Sequence, residues 1–168
     1  SRFDVLSNGT TDGAELQGSV NWGARLGRNG FLNVTGEILS KQRTNRPTDP
    51  QVFDIYRRQF GDAEAGDYGP FANAMLPLSD HSALYAFGGV NHRTTDAFPW
   101  TREPHSERNV PAIYPDGFDP HITSTVRDAS LAAGFRTALG GWDVDFSNTF
   151  GLNRFHYDIR GTLNASLL

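Results

Sequence analysis

Asp143 and Asp145 stand two residues apart in the run Trp142-Asp143-Val144-Asp145-Phe146. A strand places residues i and i+2 on one face, so both acids can address the same group, and paired carboxylates can share general acid–base work. The plainer reading makes them polar residues bonded to neighbours such as Arg136. The five histidines, His81, His92, His105, His121 and His156, keep none of the ligand spacings of a metal site, such as His-x-x-x-His. Cysteine is absent, which excludes disulfides and thiolate metal sites. No glycine-rich phosphate loop, nucleophile elbow or HExxH motif occurs. No enzymatic activity, metal or cofactor is expected.

A second group of reactive types lies in the segment 94–124. Trp100, Arg102, His105, Arg108, Tyr114 and Asp116 are interspersed there with Pro99, Pro104, Pro111, Pro115 and Pro120. Prolines stiffen a loop, aromatic and arginine side chains dominate binding hot spots, and loops on a rigid scaffold often carry function. Contact with a small-molecule ligand is one reading. A loop folded over its neighbours for packing is the other.

The elements that would hold these groups are strands. Leu16, Gly18, Val20, Trp22, Ala24 and Leu26 alternate with Gln17, Ser19, Asn21, Gly23 and Arg25, a period of two that gives one apolar and one polar face. Leu32, Val34, Gly36 and Ile38 alternate with Asn33, Thr35 and Glu37 in the same way. Asn29-Gly30 between the two segments is a strong hairpin signal, since both turn residues must tolerate positive φ. Ser79-Asp80-His81-Ser82 links a weaker pair. Gly140-Gly141 joins the clearest one, with Ala129, Leu131, Ala133 and Phe135 followed by Trp142, Val144, Phe146 and Phe150 on one face, Asn148 being the polar exception. These signals predict six strands, at about 15–27, 30–42, 71–78, 83–94, 125–139 and 142–153, an all-β antiparallel meander of three hairpins. Short links alternate with long loops at 43–70 and 94–124. All tight turns therefore fall at one end of the sheet, as in outer-membrane barrels, and a long loop inside a compact domain is unusual.

Composition agrees with a membrane barrel and excludes other classes. Eighteen glycines and twelve phenylalanines in 168 residues with a net charge of −4 are foreign to a disordered chain. Nor do they give the basic footprint of a nucleic-acid binder. No apolar stretch is long enough for a transmembrane helix. Six strands are too few to close a membrane barrel, and the chain opens at Ser1 without a leader, so a piece of a larger barrel is expected. In that barrel Leu16, Val20, Trp22, Leu32, Val34, Ile38, Leu131, Phe135, Trp142, Val144 and Phe146 would face lipid. Asn21, Arg25, Glu37, Arg136, Asp143 and Asp145 would face the lumen. Phe31 and Trp142 by the short turns, with Phe98 and Trp100 towards a long loop, suggest interfacial girdles. Val144→Arg is expected to be costly at mid-membrane, and the same change at Ser147 mild.

Several motifs point to a family. Arg108-Asn109-Val110, Ile113-Tyr114-Pro115-Asp116-Gly117-Phe118, Gly134-Phe135-Arg136, Gly141-Trp142-Asp143-Val144-Asp145-Phe146-Ser147, Gly151-Leu152-Asn153 and Thr162-Leu163-Asn164-Ala165-Ser166-Leu167 follow in that order. Upstream stand Gly30-Phe31-Leu32-Asn33-Val34-Thr35-Gly36-Glu37 and Leu84-Tyr85-Ala86-Phe87-Gly88-Gly89. Together they resemble the barrel of TonB-dependent receptors. The resemblance implies a bacterial outer-membrane location and active uptake of a scarce ligand, an iron–siderophore, cobalamin or a carbohydrate. It also implies a plug domain and a TonB box, which partners TonB, and neither is identified in these residues. A passive porin and a soluble carbohydrate-binding β-domain are the alternatives.

Overall fold

A computed structural model describes residues 11–47 and 58–167. They form one six-stranded antiparallel sheet, β1 (Glu15–Leu26), β2 (Gly30–Lys41), β3 (Glu64–Ser79), β4 (Ser82–Ala97), β5 (His121–Leu139) and β6 (Trp142–Arg160), paired in sequence order, with a short 3₁₀ turn at Ala165–Leu167. The chain is an all-β meander, and among the described residues β1 and β6 are its two edges.

Four strands outrun the expectation from sequence. β3 begins at Glu64, although Gly66, Gly69 and Pro70 read as strand breakers. Pro70 is accommodated because it pairs with Gly36 of β2, while the β3–β4 ladder skips Gly69 and Pro70. β5 starts at His121 and β6 continues to Arg160 because polarity changes faces there. On β6 the face bearing Trp142, Val144, Phe146, Phe150 and Leu152 continues as Arg154, His156, Asp158 and Arg160. The face bearing Asp143, Asp145, Ser147, Thr149 and Asn153 continues as Phe155, Tyr157 and Ile159. A pattern that inverts midway ends a sequence-based assignment but not a strand. The long links shrink accordingly to 42–63 and 98–120, and 48–57 of the expected first loop lie outside the described residues.

The turns differ in detail. Gly140 and Gly141 have φ of 59° and 84°, as a two-residue type I′ turn requires, closing on Leu139–Trp142. The first turn is Gly27-Arg28-Asn29, with positive φ at Gly27 and not at the expected Asn29-Gly30. Gly30 belongs to β2, where a Cβ would come within 2.4 Å of the Leu26 carbonyl oxygen and 2.5 Å of that of Met75. It is small for close backbone approach, not for the turn. At Asp80-His81 an extra residue is absorbed between Pro77 and Ser79, a bulge, and the Ser79 and Ser82 hydroxyls meet at 2.7 Å.

The turns are staggered in order. From the row Arg25–Phe31–Met75–Tyr85–Gly134–Ser147, the closing pair lies one residue further in the first hairpin, three in the second counted along β4, and five in the third. Two residues per hairpin is roughly 7 Å of slip across about 10 Å of sheet, so with the turns in one plane the strands lean by about 35°. That is the tilt of a closed barrel.

No second layer covers the sheet among the described residues. Among the described residues the buried apolar side chains are Ala83, Phe118, Pro120 and Ala132, and no large side chain is fully enclosed. The accessible surface is 12284 Å² for 18.5 kDa, against roughly 8,200 Å² for a compact monomer of this mass.

Candidate functional site

Register assigns every face. Leu16, Val20 and Trp22 on β1, Leu32, Val34 and Ile38 on β2, Leu131 and Phe135 on β5, and Trp142, Val144 and Phe146 on β6 share one face. Val20 is 72% exposed, Trp142 76% and Phe146 68%. From Trp142 to Leu152 this apolar face runs about 34 Å along β6, or roughly 28 Å when projected on an axis from which the strands lean by about 35°. The apolar band of a membrane barrel is about 25 Å tall. Two sequence expectations need correction here. Phe31 lies on the opposite, polar face, opposite Arg25 and Met75, whereas Trp142 lies on the apolar face; Phe98 and Trp100 follow the end of β4, with Phe98 held between Arg43 and His121. Val144 pairs with Thr137 close to the short turn, so mid-band falls nearer Phe146.

The other face carries Asn21, Arg25, Glu37, Arg136, Asp143 and Asp145 together. Its polar groups bond across strands. The Asn21 amide donates to Asn33 Oδ1 and Thr35 Oγ1, each at 2.7 Å. Asn91 Nδ2 and Arg93 Nε donate to Asp67 at 2.8 and 2.6 Å, and Asn153 Nδ2 donates to Asp128 at 2.5 Å. Asp145 is not held by its register partner Arg136. Tyr85 lies across Gly134 and donates its hydroxyl to both Asp145 oxygens, at 2.9 and 3.0 Å. The Arg136 guanidinium points instead to Met75 Sδ at 2.9 Å. The Tyr85 bridge spans β4 to β6 because Gly134 of β5 leaves room for the ring. Asp143 and Asp145 thus share a face, but Asp145 is engaged as an acceptor in a structural bridge.

The loop 98–120 has a built interior. Arg102 and Phe118 exchange two backbone hydrogen bonds, 2.8 and 2.9 Å. Gly117 makes this possible, with φ at +72° and a Cβ position 2.2 Å from the Arg102 carbonyl oxygen. Inside the closure the buried Asn109 donates to the carbonyls of Pro104 and Tyr114 at 2.9 and 3.0 Å, and the Tyr114 ring packs on Phe118 with centroids 4.6 Å apart. The buried Thr101 hydroxyl donates to Asp119 at 2.6 Å, which also meets Arg58 at 2.9 Å. The loop therefore takes Tyr114 and the Arg102 backbone for its own packing. Trp100, His105, Arg108 and Asp116 remain exposed on its surface. Among the described residues no hydrogen bond or ion pair joins Arg102, His105, Arg108 and Asp116 to one another.

Below the loop lies a cluster that the sequence does not announce. Asp96 accepts from Arg43 and is 2.7 Å from His121 Nε2. Phe98 sits between them, 4.4 Å below the Arg43 guanidinium and stacked on His121 at 4.7 Å. The four come from three chain segments, and only the β4–β5 register brings Asp96 beside His121. Asn109 likewise gives no advance sign beyond being an amide among prolines. At the start of the chain, Arg46 Nη1 and the Asn45 amide both donate to Asp12 at 2.7 Å, and they hold its carboxyl below the usual carboxylate range. Among the described residues no three His, Cys, Asp or Glu side chains gather to hold a metal ion. No protein-family model, curated protein or solved structure matches this chain.

Proposed function

We propose that this chain is a stretch of an outer-membrane β-barrel of the TonB-dependent receptor type, serving active uptake of a scarce small ligand from the cell surface. The observation that carries the membrane part is the uncovered apolar face, bounded along the strands and roughly as tall as a hydrocarbon layer. A soluble sheet hides its apolar face under a second layer, so the same residues exposed together call for lipid. The hydrogen-bonded polar face then borders a watery lumen. The free edges of β1 and β6 would each leave unpaired N–H and C=O groups in lipid, so further strands of the parent barrel supply their partners, and a plug is expected on the motif resemblance alone. The short turns face the periplasm and the loop 98–120 the exterior, where Trp100, His105, Arg108 and Asp116, with the side chain of Arg102, are the candidate ligand contacts, Tyr114 being packed on Phe118. Uptake of the receptor type and the TonB partnership rest on the motif resemblance.

Topology and energisation are tested separately. This stretch has no cysteine, so in a parent protein cleared of cysteines elsewhere single cysteines report cleanly. His105→Cys in intact cells should react with a membrane-impermeant maleimide, and Arg28→Cys only after the outer membrane is opened. Uptake by the intact protein should stop when the proton gradient is discharged. Uptake that continues would identify a passive channel instead.

A further inference from the structure

We infer that the outward-facing row Arg154–Arg127–His92, at the loop-side border of the apolar band, binds the phosphate headgroup of a membrane lipid. The inference rests on the membrane reading above and adds a specific lipid contact to it. Arg127 stands directly opposite Arg154, and His92 directly opposite Arg127. Side chains so paired have Cβ atoms about 5 Å apart, and the like charges of Arg127 and Arg154 placed there repel, while the half-buried His92 ring packs on Tyr68 with centroids 5.1 Å apart. An arginine cannot relieve this by losing its proton.

Among the described residues, neither Arg127 nor Arg154 has an ion-pair partner, and both are exposed. The neighbouring acids are engaged elsewhere. Asp128 and Asp67 lie on the opposite face, bonded to Asn153 and to Asn91 and Arg93. Asp96 is held by Arg43 and His121, and Asp158 stands beside His156. A phosphate between the two guanidinium groups would turn repulsion into two charge-assisted, fork-shaped contacts.

Position selects a lipid over a free anion. The next row towards the short turns is Val90, Ala129 and Leu152, followed by Leu131 and Phe150, so acyl chains attached to the bound phosphate would lie along exposed apolar surface. At the short-turn border the same face ends in Leu139 and Trp142. The cationic row is confined to the loop side, which matches one leaflet only.

The test uses the intact barrel protein, folded into phosphatidylcholine bilayers and then extracted for native mass spectrometry with phosphatidic acid as the probe. Phosphatidic acid should be retained in preference to phosphatidylcholine. Arg127→Gln/Arg154→Gln should weaken retention by about tenfold to thirtyfold, because both guanidinium charges that hold the phosphate are removed, and Arg154→Gln alone should lie between. Arg25→Gln, on the other face, should change nothing. Retention should survive excess inorganic phosphate, and displacement by it would overturn the lipid assignment. Equal retention by wild type and double variant, in protein that inserts normally, would overturn this inference alone. Failure of the wild type to insert would remove the membrane reading itself.

Discussion

Single side chains carry the two-faced character of this sheet, and adjacent residues differ sharply in what they tolerate. Phe146 sits within the apolar band and Ser147, its neighbour, on the polar face. Phe146→Arg should therefore cost the inserted protein about 2–4 kcal/mol, while Ser147→Arg should be mild. Reversible unfolding from bilayers measures both. Gly134 offers a second test. A Cβ there would come 2.6 Å from the Tyr85 ring, so Gly134→Ala must push Tyr85 aside and break its bond to Asp145, costing about 1–3 kcal/mol. Tyr85→Phe should then add little on the Gly134→Ala background, a non-additivity that a double-mutant cycle reads directly. Asp12 gives the pH dependence. Its carboxyl titrates lower in the folded protein because Arg46 and the Asn45 amide donate to it. Its contribution to stability is thus present above the unfolded carboxylate range and is lost as pH falls through the lowered folded value. Arg46→Ala should move the Asp12 titration upward in an NMR experiment.

At the scale of elements, the turns set the register and the sequence announces them unequally. Gly140 and Gly141 both have positive φ with no atom near their Cβ positions. Replacing either by alanine costs backbone strain of about 1–2 kcal/mol, and circular dichroism melts should separate this from the lower cost of Asn29→Ala, where φ is not positive. Strict alternation makes the portions of β1, β2, β5 and β6 that carry the exposed apolar face legible, since period two needs no tertiary knowledge. The loop-side portions of β5 and β6 are not legible, because past Asn153 the polar and apolar faces exchange. The start of β3 is hidden by Gly66, Gly69 and Pro70, whose tolerance depends on which neighbour lacks a hydrogen bond. Asn29-Gly30 misleads for a similar reason, its glycine being required by the close Met75 carbonyl. The candidate loop residues are visible by type, but the division into packing groups and exposed groups depends on the Arg102–Phe118 closure, which no local spacing encodes.

For the whole molecule, the stagger of the turns and the length of the apolar band describe an open sheet with one exposed apolar side. Each quantity follows from register, and register follows from alternation held in place by three tight turns. The cationic row at the border of the band and the built loop beyond it lie at the same end of the sheet, opposite the three tight turns. The most direct test of this is a spin-label scan along β6, residues 142–160, of the intact protein in lipid vesicles, read by collision with oxygen and with a water-soluble nickel chelate. Even positions from 142 to 152 should favour oxygen and odd positions nickel, with the alternation lost in favour of nickel beyond Asn153. Even positions shielded from both reagents would mean that protein covers that face, and the account would be wrong.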